Sequence, residues 1–223
     1  MYSNKNTPRF LGAAFLLQAV AAAVWTYLLS SLIVTGDISA SMTNIANNAL
    51  QMRASIVFTM ITAMGVATLG ALLYVVLHKQ NKIIALIALV LYLVEAAILA
   101  ASRIEAFALL RISQESVMAG HPDYLQALGN LFYESAEFGD WLHMFPFALG
   151  ATLFYYLFFK SGYIPRALAL FGLIAASLAL IGTPLGLLGY DVPIYVFLPN
   201  LPFELTIGVW LLVKGIRDDS ETS

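Results

Sequence analysis

The stretch that decides the fold is residues 83–110, which read IIALIALVLYLVEAAILAASRIEAFALL. A helix rises 1.5 Å per residue, so this run is long enough to cross about 30 Å of hydrocarbon. Further apolar runs occupy residues 10–34, 54–77, 141–159, 167–188 and 194–213. The sequence therefore predicts an all-α fold, a bundle of six transmembrane helices that forms a single transmembrane domain over residues 1–223.

The overall composition excludes several classes of function. Hydrophobic residues make up 61% of the 223 residues and charged residues 11%, whereas soluble domains carry about 25% charged residues. A soluble enzyme is thereby excluded. A net charge of −2 without clustered basic residues gives nucleic acid no electrostatic footprint. The absence of cysteine excludes disulfides, thiolate metal sites and iron–sulfur clusters.

The distribution of basic residues predicts the orientation. Of the 11 lysines and arginines, eight fall on one side of a six-span order. These eight are Lys5, Arg9, Lys79, Lys82, Lys160, Arg166, Lys214 and Arg217. Because cytoplasmic loops are enriched in lysine and arginine, this side is predicted to be cytoplasmic, with both termini inside the cell.

Two longer segments separate the spans on the opposite side. After Pro122, apolar residues recur at helical spacing, which predicts an outer amphipathic helix between spans 3 and 4. These apolar residues are Tyr124, Leu125, Leu128, Leu131 and Phe132. The helix is interpreted either as a structural element, packed on the bundle as a lid or lying in the membrane interface, or as a gate for a substrate. Residues 36–53 show no clear apolar stripe and are predicted to form an ordered loop.

Charged residues inside the third span need partners, because a charge at mid-bilayer is costly. Glu95, Arg103 and Glu105 fit within a face of about 160° at 100° per residue. Arg103 stands about 12 Å further along the helix than Glu95, too far for a salt bridge between them. Its partner is therefore predicted on another helix, most plausibly Asp140 or Glu204.

The entry to the fourth span has two interpretations. Glu134, Glu137, Asp140 and His143 follow at intervals of three, so neighbouring pairs share a helical face. Carboxylates spaced in this way from a histidine can ligate a metal. Alternatively, the acidic side chains lie in water at the outer end of the helix, where its positive N-terminus favours them, and pair with Arg53, Arg103 or Arg111.

The sixth span is predicted to be discontinuous, because Pro199 and Pro202 remove backbone donors. Glu204 follows them at membrane depth, where irregular backbone is tolerated only if protein or a water-filled cavity covers it. Glu204 faces a ligand, caps its own half-helix or pairs with Arg103. Gln18 in the first span either lines the same cavity or packs in the core, and core packing is the favoured interpretation.

Other side chains have structural interpretations. Gly65, Gly70 and Gly150 indicate close helix packing. An aromatic belt at the cytoplasmic interface is predicted from Tyr155, Tyr156, Phe158 and Phe159.

Several short motifs together resemble a known family. They are Arg103-Ile104-Glu105, Asp140-Trp141-Leu142-His143, Tyr155-Tyr156-Leu157-Phe158, Ile164-Pro165-Arg166 and Trp210-Leu211-Leu212-Val213-Lys214-Gly215. With these motifs the sequence resembles, over most of its length, the bacterial six-helix integral membrane family called domain of unknown function 4386. The resemblance implies a multipass protein of the bacterial cytoplasmic (inner) membrane. It implies no reaction and no catalytic residue.

Three functions remain open from the sequence. The favoured one is binding or transport of a small molecule or ion through a polar cavity near the outer leaflet. Its predicted ligand-binding residues are Glu95, Arg103, Glu105, Asp140, His143 and Glu204. The alternatives are a structural or sensory membrane subunit without transport, and an intramembrane metal-dependent enzyme, against which the missing second histidine weighs. No cofactor or metal is assigned, and the predicted partners are membrane lipids and a small ligand.

Overall fold

A computed structural model describes residues 6–217, and this part of the chain contains helices and no strand. The helices are α1 (Thr7–Ser30), α2 (Ile38–Asn47), α3 (Ala49–Leu77), α4 (Lys82–Ala101), α5 (Arg103–Met118), α6 (Asp123–Ser161), α7 (Arg166–Leu187) and α8 (Asn200–Val213), with a 3₁₀ turn at Ile194–Val196. Length and apolar composition give six candidate spans, which confirms the predicted number. The chain is an integral multipass membrane protein, and its exposed apolar side chains contact lipid.

The six spanning helices form a closed ring. Going round it, α1 contacts α3, α3 contacts α4, α4 contacts α6, α6 contacts α7, and α8 closes the ring between α7 and α1. The interior is filled by aromatic side chains, including Phe15, Tyr92, Phe154, Tyr155 and Phe203. Any polar group that points into this interior is therefore shielded from both lipid and water.

Glycines allow the ring helices to approach closely. A Cβ atom added to Gly12 of α1 would lie 2.6 Å from the carbonyl oxygen of Gly208 in α8, so the two backbones touch at this crossing. The ring of Tyr92 fills the space that Cβ atoms of Gly70 and Gly150 would occupy. Gly65 likewise lies against Gln18, so the predicted role of these small residues in close packing is confirmed.

One end of the ring carries a helical cap, defined as α2, α5 and residues 123–140 of α6. With 39 residues, α6 is about 58 Å long, roughly twice the hydrocarbon thickness. The N-terminal part of α6 packs against α5 and α2, and Met42 fills the space beside Gly129. The predicted amphipathic helix is confirmed, and it continues into the fourth span without a break.

The prediction of a loop for residues 36–53 is wrong, because this segment contains α2 and the start of α3. The Asp37 carboxylate caps α2 by accepting a hydrogen bond from the backbone N–H of Ala40 at 2.8 Å. Met42 and Ile45 on its buried face pack into the apolar core of the cap. Ile38, Met42 and Ile45 are spaced by four and three, so an apolar stripe is present after all.

The opposite end of the ring is called the basic end. Here the short connections between α3 and α4 and between α6 and α7 lie beside the start of α1 and the end of α8. The backbone N–H of Arg217 donates to the carbonyl of Tyr163 at 2.9 Å. Of the basic residues predicted for this end, Lys5 lies outside the described residues.

The predicted aromatic belt is only half present. Tyr156 and Phe159 are exposed, but Tyr155 and Phe158 are fully buried in the ring interior. Neighbouring side chains of α6 therefore divide between the lipid face and the core. The assignment of Tyr155 and Phe158 to the belt is wrong, because the run of aromatics covers both faces of the helix.

Candidate functional site

The six predicted ligand-binding residues lie in three different places. Glu95 and Glu204 point into the ring, Arg103 and Asp140 lie at the junction of ring and cap with His143 beneath them, and Glu105 lines a separate groove. The chain order explains this division, since α4 belongs to the ring and α5 to the cap.

Glu204 is tied to the first span. The side-chain amide of Gln18 donates a hydrogen bond to Glu204 Oε2 at 2.8 Å, and both residues are buried. The antiparallel crossing of α1 and α8 at Gly12 and Gly208 brings the two side chains together. Of the three roles considered for Glu204, pairing with Arg103 is not observed, and its contact is with Gln18 instead of with the backbone of its own half-helix.

Glu95 faces the same interior from α4. Its side chain is 4% exposed, and Oε2 has no hydrogen-bond partner within residues 6–217. Glu95 lies within electrostatic range of Glu204 and of the hydroxyl groups of Tyr92 and Tyr155. These two hydroxyls approach each other, but the Tyr92 oxygen does not reach hydrogen-bond geometry. Gln18, Tyr92, Glu95, Tyr155 and Glu204 are called the ring cluster below.

The predicted partner of Arg103 is confirmed as Asp140. Arg103 Nη2 lies 2.6 Å from Asp140 Oδ1 and also donates to the hydroxyl of Ser102 at 2.9 Å. Its guanidinium carbon stands 5.3 Å from the centroid of the Trp25 ring, a cation–π contact. The helix interruption at Ser102 starts α5 at Arg103 and turns this side chain towards α1 and α6.

A cleft of about 350 Å³ opens beside this pair and is called the cap cleft. Arg103, Asp140 and Glu137 give it charge at one side, while Leu29 of α1 and Ile33, which follows α1, are among its apolar walls. Two N–H donors at the cleft, Trp25 Nε1 and Arg103 Nε, are buried and have no partner in the described part of the chain. The cleft therefore combines apolar walls with two buried donors that lack a partner in the described part of the chain.

His143 lies one turn further along α6 than Asp140. It is buried within electrostatic range of Arg103, and its Nδ1 atom has no partner among residues 6–217. Glu134 instead accepts a hydrogen bond from Asn130 at 2.8 Å on an exposed face. Within the described residues, no three His, Asp or Glu side chains are grouped so that they could hold a metal ion.

Glu105 lines a second, more open space of about 560 Å³, which is called the side groove. The groove lies between the α4–α5 junction and α6, and it is largely apolar, with Ile98, Leu131 and Phe138 among its walls. Glu134 contributes a second carboxylate at its rim. Glu105 is therefore separated from Arg103, although the two residues are only two positions apart.

Three polar side chains of these sites are not among the ligand-binding residues predicted from the sequence. Tyr92 precedes Glu95 by three residues, so helical spacing alone puts it on the same face. Gln18 is the only side-chain amide in the first span, and a polar group there needs a partner. The sequence did not indicate Trp25 as a site residue, because a tryptophan near the end of a span is also typical of an interface anchor.

Comparison with known proteins identifies the family. A family model described as a domain of unknown function, DUF4386, matches residues 10–215. Neither a curated protein nor a solved structure matches the chain. Because the match covers all six spans, this chain belongs to the DUF4386 family of integral membrane proteins.

Proposed function

We propose that the protein binds a small amphipathic molecule in the cap cleft, as a binding protein or as part of transport. The observation that carries this proposal is a buried guanidinium at the cleft. Arg103 is 5% exposed, and its Nη2 atom forms the salt bridge with Asp140. Its Nε atom has no hydrogen-bond partner within the described residues. A buried donor without a partner is costly, so an acceptor group of a ligand would stabilise it.

The character of the cleft suggests the class of ligand. Trp25 Nε1 is a second buried donor without a partner in residues 6–217, and the aliphatic walls include Leu29 and Ile33. Carboxylate and phosphate oxygens are strong acceptors for arginine. We therefore expect a molecule with an acidic or strongly accepting head and an apolar body, small enough for about 350 Å³.

The orientation is part of the proposal. Basic side chains at the turns between α3 and α4 and between α6 and α7 make the basic end cytoplasmic by the positive-inside rule. The cap and its cleft then lie at the outer leaflet of the bacterial inner membrane, the location that the family resemblance implies.

A structural or sensory role is the second candidate, and one observation favours it. The Arg103–Asp140 pair connects α5 to α6 at the base of the cap, so it also fixes how the cap is attached to the ring. In that case the cleft is incidental and holds no ligand.

Binding of dansyl undecanoate, a fluorescent fatty acid, distinguishes the two roles. We expect saturable energy transfer from tryptophan to the probe in detergent micelles, weakened about tenfold in Arg103→Met, which corresponds to about 1.4 kcal/mol. Leu29→Trp, which fills the cleft but leaves the ion pair intact, should also weaken binding. Glu105→Gln in the side groove is the matched control and should bind normally.

The outcomes against the proposal are equally specific. Absence of saturable binding to the natural chain would contradict it. So would unchanged affinity in both Arg103→Met and Leu29→Trp, provided that circular dichroism shows both variants to be folded.

A further inference from the structure

We propose that the ring cluster is a proton-binding site, in which Glu95 and Glu204 together hold one exchangeable proton inside the membrane. This site is distinct from the cap cleft and does not depend on the function proposed for it. Neither Glu95 nor Glu204 lines the cap cleft or the side groove.

The two carboxyl groups lie at similar depths although they come from different helices. Glu95 is 13 residues from Lys82 at the start of α4, and Glu204 is ten residues from Lys214 at the end of α8. These spacings correspond to about 20 Å and about 15 Å from the basic end at 1.5 Å per residue. Gln18, nine residues or about 14 Å from Arg9, reaches the same layer.

Some buried polar atoms of the cluster lack a hydrogen-bond partner. Gln18 donates to Glu204 Oε2, whereas Glu95 Oε2 and the Tyr92 hydroxyl have no hydrogen-bond partner within residues 6–217. Both of these atoms belong to side chains more than nine-tenths buried. A proton on either carboxyl group supplies a donor in a place where buried acceptors outnumber donors.

The helices around the cluster bring no basic group to it. Towards it, α1 presents Gln18, α4 presents Tyr92 and α6 presents Tyr155, and Gly65 of α3 lies beside Gln18. On α7, Gly172 lies against the side chain of Phe203. Among the described residues, Arg103 is the buried basic side chain with a permanent charge, and it is engaged by Asp140. Buried His143 interacts with Arg103 rather than with the ring cluster.

Electrostatics then favours one neutralising proton. Two ionised carboxylates in a low-dielectric interior repel each other, and each is costly on its own at membrane depth. A hard metal ion would need about six or more oxygen ligands. The cluster is instead tightly filled, since the aromatic side chain of Tyr92 packs between Gly70 and Gly150. A proton requires no such volume.

Infrared difference spectroscopy on the full chain in lipid nanodiscs tests this assignment. Between acidic and alkaline buffer, we expect a reversible C=O stretching band of one protonated carboxyl group that shifts in D₂O. The band should shift in Glu95→Gln and in Glu204→Gln, where one buried carboxyl group remains, and it should be lost in the double variant. Glu105→Gln, which removes a half-buried carboxyl group outside the cluster, is the matched control and should keep the band.

Each alternative result counts against the proposal. Absence of a D₂O-sensitive carboxyl band from the natural chain would overturn it, and so would an unchanged band in the double variant, which lacks both carboxyl groups. Replacing choline by Na⁺ at constant pH should leave the band unchanged, and its disappearance would assign the site to a metal ion instead. Should one variant fail to fold, Gln18→Leu keeps both carboxyl groups, and it should shift the band by removing the donor to Glu204.

Discussion

Breaking the Arg103–Asp140 pair from its two sides should have unequal effects on stability. The two side chains are 5% and 32% exposed, respectively. Asp140→Asn therefore leaves a buried guanidinium without its counter-ion. Arg103→Met leaves a carboxylate that water can reach, and methionine retains most of the apolar packing of the arginine stem.

The magnitudes follow from these exposures. Removing one partner of a fully buried ion pair costs about 3–5 kcal/mol, so Asp140→Asn should cost about 3 kcal/mol, at the lower end because Asp140 is partly hydrated. Arg103→Met should cost about 1–2 kcal/mol, which includes the lost contact with Trp25. In the double variant no unpaired guanidinium remains, so its loss should lie about 2–3 kcal/mol below the sum of the single losses.

The free energy of unfolding of the four proteins can be measured by titration with SDS in mixed micelles, followed by circular dichroism. The expected order of stability is natural chain, then Arg103→Met, then Asp140→Asn, with the double variant more stable than Asp140→Asn alone. Additive losses, or a larger loss from Arg103→Met than from Asp140→Asn, would refute the argument from burial.

Two further predictions concern packing and orientation. Gly12→Val should destabilise the protein by about 1–3 kcal/mol in the same titration. The reason is that the added Cβ would lie 2.6 Å from the carbonyl oxygen of Gly208. Unchanged stability would contradict the close crossing of α1 and α8. A cysteine in place of Asn47 in the cap should react with an impermeant thiol reagent outside intact cells, whereas one in place of Asn81 at the basic end should be shielded. Labelling at Asn81 but not at Asn47 would show that the orientation is the opposite of the one proposed. The natural chain has no cysteine and therefore measures the background labelling.

The spans were predictable from the sequence because hydrocarbon imposes a simple requirement of length and composition. The break before α8 was predictable for a similar reason, since Pro199 cannot donate a backbone hydrogen bond. The second break expected at Pro202 is not observed, because Pro202 lies in the first turn of α8, where the backbone N–H groups have no partner within the helix. The cap was harder. Its helix α2 has only ten residues and gains its stability from Met42 and Ile45 packing on distant parts of the chain, so local pattern carries little of the information.

The division of the predicted site shows where helical periodicity stops being informative. Arg103 and Glu105 are two residues apart, which is about 200° around a helix, so they point in nearly opposite directions. Helical spacing placed both residues, with Glu95, on one broad polar face. A span in the helix ring, however, has a neighbouring helix on each side, so residues at the two edges of that face lie in different sites. Arg103 turns towards α1 and the cap cleft, and Glu105 turns towards the side groove. Glu95 lies below the interruption at Ser102 and faces the ring interior. Periodicity gives the angle between side chains, whereas the helix packed on each side determines which of them share a site.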